Sequence, residues 1–168
     1  MALQSVTYLI TFSCYGCHLH GSESGSVDRE HNVPGTPILE VNSARVTAER
    51  ERLGQASYSL DQRRRDAVLE AIQGVCAYRG CRLLAAHVRS TQVHTVVEAG
   101  VAPERVMSDF KAYARRRLNR MGLDDRERKR WTRHGSTRWL WKQHISAAIQ
   151  YVVAEQGDAM SLFESHEP

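Results

Sequence analysis

Residues 82–98 read RLLAAHVRSTQVHTVVE, and this stretch decides the fold. Two apolar, β-branched runs, Arg82–Arg89 and Val93–Glu98, flank the short polar segment Ser90-Thr91-Gln92. Runs of this kind joined by so few residues predict an antiparallel pair of strands. Upstream, Val68, Leu69, Ile72, Val75 and Cys76 recur at helical spacing. Asp61 is placed to cap that helix and Gly80 to end it. Downstream, Pro103 opens a second helix that runs through VMSDFKAYARRRLNRM to Gly122. Outward again lie SVTYLITFS (5–13) and TRWLWK (137–142), both read as strands, with DDRERKRWTRHGST between as a charged loop. A last helix is predicted from about Ser146 to Glu155, with Gly157 just past it.

The order strand, helix, strand, strand, helix, strand predicts an α+β domain. Its expected form is a ferredoxin-like βαββαβ antiparallel sheet with an added C-terminal helix. With 168 residues the chain is read as one domain, 1–168. Residues 17–58, rich in Gly, Ser and His, are expected as a loop-rich insertion, with room for a short helix at 43–53. Residues 158–168 are expected as a loose tail. This superfold carries no function by itself.

Hydrophobic residues make up 42% of the chain and charged residues 25%, as in ordinary globular proteins. No apolar run approaches the ~20 residues of a membrane span. The opening MALQSVTYLITF lacks a basic leader and a small-residue cleavage site. A cytoplasmic protein with four reduced cysteines is therefore expected. Net charge is +4, unevenly spread: residues 104–138 hold twelve Lys/Arg against five Asp/Glu, and the rest of the chain is slightly acidic. Such a block is either a solvated helix face or the footprint of a polyanion. Lys111, Arg115, Arg116, Arg117 and Arg120 cannot all face a core, and are the candidate phosphate contacts. Tyr113 and Trp131 are candidates for stacking on an unpaired base.

Two places carry potential chemistry. Gln92 and His94, two apart on a strand, point to the same face. An amide oxygen and an imidazole there suit Mg²⁺ or Mn²⁺, although a lone strand histidine is also an ordinary structural residue. On the last helix Tyr151 has Glu155 one turn on and Gln156 a further ~100° round. The tyrosine reads as a nucleophile beside a metal ligand, or as core filler next to Ile149 and Val152. Cys14-Tyr15-Gly16-Cys17-His18 has the C-x-x-C-H spacing of haem attachment. Reduced thiols at a strand end are the favoured reading, ahead of a structural zinc.

Taken together, AAHVRSTQVHTVVEA, the following Trp139-Leu140-Trp141 strand, the helix with YVVAEQG and the opening YLITFSCYGCHLHG resemble the single-tyrosine HUH transposases. The REP-associated tyrosine transposases are among them. The likeness covers most of residues 5–160. It departs at the first histidine of the HUH pair, which is Gln92 here. The resemblance implies binding of single-stranded or hairpin DNA, and metal-dependent cleavage and joining through a 5′-phosphotyrosine at Tyr151. It also implies Mg²⁺ or Mn²⁺ at Gln92, His94 and Glu155 or Gln156, and a homodimer. The alternative function is a transposase-derived DNA-binding protein without turnover. An RNA-binding ferredoxin-like domain would carry exposed aromatics on its central strands, and VHTVVE and RLLAAHVR hold none.

Overall fold

The computed structural model describes residues 4–17 and 54–166. In chain order the elements are β1 (Val6–Cys14), α1 (Gln62–Arg79), β2 (Arg82–Val88), β3 (Gln92–Ala99), α2 (Pro103–Met121), β4 (Trp131–Leu140), a 3₁₀ turn (Lys142–His144), α3 (Ile145–Ala154) and β5 (Ser161–Glu164). The strands form one antiparallel sheet in the order β4-β1-β3-β2-β5. The first four strands stand in the ferredoxin-like arrangement predicted for βαββαβ, so the α+β fold is as read. The predicted caps also hold. The Asp61 carboxylate accepts from the Arg64 N–H at 2.9 Å, and Gly80 closes α1 with φ 72°, a left-handed conformation that suits glycine.

Strand alternation divides the sheet into two faces. Tyr8, Ile10, Phe12 and Cys14 of β1 share the back face with Val93 and Val97 of β3 and with Leu83, Ala86 and Val88 of β2. Against them pack Val68, Ile72 and Val75 of α1 and Val106, Phe110, Ala114 and Leu118 of α2. The front face holds a smaller apolar cluster: Leu84, Ala85 and Val96 of the sheet under Ala148 and Val152 of α3. The spacing of Ile145, Ala148, Ile149 and Val152 gives α3 the single apolar stripe that this requires.

Three boundaries differ from the sequence expectation. β4 begins at Trp131, so half of the expected charged loop is strand. Its Phe12 and Cys14 partners across a bulge in β1–β4 pairing give that half a ladder which periodicity alone does not reveal. α3 ends at Ala154, one residue early. The tail is not loose from 158 onward: Ser161–Glu164 pair with Val88–Ala85, and the Ser161 hydroxyl bonds to Asp66 of α1. A four-residue edge strand is too short to show a period. Of the expected 17–58 insertion, residues 18–53, including the short helix at 43–53 and His18, lie outside the described residues. Its end is tied down: Tyr58 N–H bonds to Tyr15 C=O, and the Tyr58 hydroxyl donates to Asp124 at 2.7 Å.

Candidate functional site

The front face carries a row of polar residues across four strands. Register pairs Ser136 of β4 with Thr11 of β1, Thr11 with His94 of β3, and His94 with His87 of β2. Polar side chains in such a row need partners, and the two histidines differ in this. His87, fully buried, bonds through Nδ1 to the Val152 carbonyl at 3.0 Å, and its Nε2 accepts the Met160 N–H at 3.0 Å. Both nitrogens are thereby used, and they pin α3 and the approach to β5 onto the sheet. Burial holds this imidazole below its ordinary pKa, against the hydrogen bond to Val152. His87 thus ties α3 and β5 to the sheet.

His94 is 3% exposed. Its Nδ1 lies 3.1 Å from the Thr11 hydroxyl, and its Nε2 is buried with no hydrogen-bond partner among the described residues. Burial, with His87 and Arg89 adding to it, lowers its pKa to about 4, so the ring is neutral at pH 7. The ring of Tyr151 stands edge-on to it, centroids 6.2 Å apart and planes at 87°. Tyr151 lies beside the buried stripe of α3 and is 40% exposed. A buried imidazole with a spare nitrogen thus sits against a phenol that reaches solvent.

The other candidate ligands are less closely gathered. Gln92 starts β3 on the same face as His94, opposite Ser13. Gln156 turns its amide back onto the last turn of α3, its Nε2 donating to the Tyr151 carbonyl at 3.2 Å. Glu155 caps the helix and is exposed. Among the described residues no three His, Cys, Asp or Glu side chains gather as a metal site, so Glu155 does not join the two histidines in one cluster.

The basic helix α2 is on the back of the sheet, across from Tyr151. Its five candidate cations divide. The Lys111 ammonium is half-buried over the Phe12 ring, and donates to the Thr132 and His134 carbonyls at 3.0 and 3.2 Å, which holds β4 to α2. Arg117 is paired with Glu70 of α1. Arg116 lies over the Tyr113 ring at 4.4 Å. Arg115 and Arg120 are exposed. The proposed stacking residue Trp131 is occupied as well: its indole N–H donates to the Lys111 carbonyl, and its ring stands edge-on to Phe12 at 5.1 Å.

All four cysteines are free thiols. Cys14 is buried, which pushes its thiol up to about 12, and the Cys17 thiol donates to the Tyr58 carbonyl. Sequence reading missed Thr11, whose contact with His94 depends on β1–β3 register. It also missed His87's anchoring of α3, which no local motif announces.

No protein-family model matches the chain, and no curated protein matches it in sequence. Among solved structures, the chain is similar to the REP-associated tyrosine transposase bound to a REP hairpin, with a TM-score of 0.48 and 12% identity. The likeness covers 89% of this chain and 66% of that one, so the chain spans a little under two thirds of the length of the protein it resembles. Among the described residues no helix is long and apolar enough to cross a membrane.

Proposed function

We propose that the front face binds single-stranded DNA and that Tyr151 cuts it, leaving a 5′-phosphotyrosine. The observation that carries this reading is the pairing of Tyr151 with His94, whose Nε2 is buried without a partner. A spare nitrogen under a surface phenol is not required by packing, and buried polar atoms are ordinarily satisfied. The sequence resemblance set out above supplies the reaction class.

In this proposal His94 donates its Nδ1 proton to the Thr11 hydroxyl, which leaves the Nε2 lone pair bare. The Tyr151 oxygen forms a bond to phosphorus as the bond to the 3′ oxygen breaks. The phenol gives up its proton, and the departing 3′ oxygen takes one up. The orphaned Nε2 would hold a divalent cation, Mg²⁺ or Mn²⁺, with Gln92 and Glu155 or Gln156 as the further ligands. Such a cation would offset the charge of the scissile phosphate. Gln92 is a neutral, weaker ligand than histidine, and makes this the soft point of the site. Arg115, Arg116 and Arg120 on the back face serve as phosphate contacts for the remainder of the DNA. A homodimer belongs to the same proposal.

Incubation with a library of single-stranded hairpins and Mn²⁺ tests it. The wild type should form a covalent adduct that survives denaturation. Tyr151→Phe should bind DNA and form none, and Gln92→His should form more. If neither the wild type nor Gln92→His yields an adduct, the front face is a binding surface only, the second reading that Gln92 favours.

A further inference from the structure

Trp139 and Trp141 are 61% and 62% exposed, the most exposed large apolar side chains among the described residues after Tyr78. Their rings touch, with centroids 5.4 Å apart and planes at 47°, so each keeps an outer face in water. The geometry follows from the backbone. Trp139 is in β4, and Trp141 continues extended at φ −69°, ψ 151°. Alternation therefore sends both indoles to one side and sends Leu140 between them into the front cluster. β4 is an edge strand with β1 as its one neighbour in the sheet. Among the described residues neither ring packs into either core cluster, whereas Trp131 at the other end of β4 packs against the core.

Charge says what they meet. Arg138 and Lys142 flank the pair, and residues 128–154 contain six Lys/Arg and no Asp or Glu. A second copy docking on this edge would set Arg138 and Lys142 against their own likes, which disfavours self-association. Exposed aromatics interleaved with cations match a single strand, whose phosphates want charge and whose unpaired bases offer flat faces. In a duplex those faces are already stacked. We infer that Trp139 and Trp141 form a stacking platform for unpaired bases of single-stranded DNA, with Arg138 and Lys142 on its phosphates. This rests on the reading of the chain as a binder of single-stranded DNA. Trp139 is opposite Tyr8 of β1, so the platform lies on the back side of the β4 edge.

The test uses the full chain with three probes: oligothymidylate, an abasic oligonucleotide of the same length, and blunt duplex. Oligothymidylate should quench tryptophan fluorescence. The Trp139→Ala/Trp141→Ala double variant should lose that quenching and bind oligothymidylate roughly ten- to a hundredfold more weakly. Its affinity for the abasic strand should not change. Both rings lie outside the cores, so its urea midpoint should match the wild type. Unchanged affinity of the double variant for oligothymidylate overturns the inference. So does a double variant that loses a dimer in light scattering while DNA affinity stays the same. Failure of this inference and of the cleavage reading are separable. Trp-dependent binding without any adduct leaves the platform standing, and an adduct with Trp-independent binding removes the platform alone.

Discussion

The back of the sheet is closed by two long helices over a continuous apolar core that includes Phe12, Ile72, Phe110 and Leu118, each at most 1% exposed. The front carries a ten-residue helix over three buried apolar residues of the sheet, Leu84, Ala85 and Val96, and beside it a row of hydroxyl and imidazole groups. The difference separates two roles. Burial on the back accounts for most of the apolar core. On the front, the apolar stripe of α3 and the His87 hydrogen bonds hold the helix to the sheet. Thr11, His94, Gln92 and Tyr151 lie beside that contact.

The largest test of this contrast is in the core. Phe110→Ala should cost about 3–5 kcal/mol in urea unfolding, as expected for a buried aromatic. Val152→Ala on the buried side of α3 should cost clearly less. Equal losses would mean that the front is as much a part of the stabilising core as the back. Next comes His87→Leu, which leaves the Val152 carbonyl and the Met160 N–H without their partner, at about 1–3 kcal/mol. Hydrogen exchange should quicken in α3 and β5 first, with α1 and α2 little changed.

A smaller effect concerns pH. His94 is held at about 4 against an ordinary 6.5, so the unfolded chain binds a proton there before the folded one does. Its contribution is complete above pH 6.5 and is lost as pH falls toward 4; His87, shifted the same way, adds to it. Thermal midpoints should drop across that window, and His94→Gln should flatten the drop. A slope unaltered by His94→Gln would place the titrating group elsewhere. The smallest expected effect is on the back surface. Converting Arg115, Arg116 and Arg120 to Gln should weaken DNA binding and flatten the salt dependence by about one unit per lost phosphate contact. Arg117→Gln alone should change little, because Glu70 already holds that guanidinium.

Much of this was legible because it is local. Asp61 and Gly80 bracket α1, Pro103 and Gly122 bracket α2, and QVH alternation puts Gln92 and His94 on one face. What escaped depends on contacts distant in sequence. The Thr11–His94 bond spans strands far apart in the chain. Lys111 looks like one more cation in a basic helix until β4 delivers two carbonyls to it. Trp131, read as a loop residue free to stack, is the first residue of β4. Ser161–Glu164 is strand because β2 offers an open edge, a reason invisible in four residues.

The most direct measurement maps the site of a covalent DNA adduct, since the two rival tyrosines lie on opposite faces. Tyr151 is on the front against His94, and Tyr113 is on the back beneath Arg116. After reaction with single-stranded hairpin DNA and Mn²⁺, digestion and mass spectrometry should find the nucleotide on the peptide carrying Tyr151. A nucleotide on the Tyr113 peptide, with Tyr151→Phe still reactive, would contradict the assignment of chemistry to the front face.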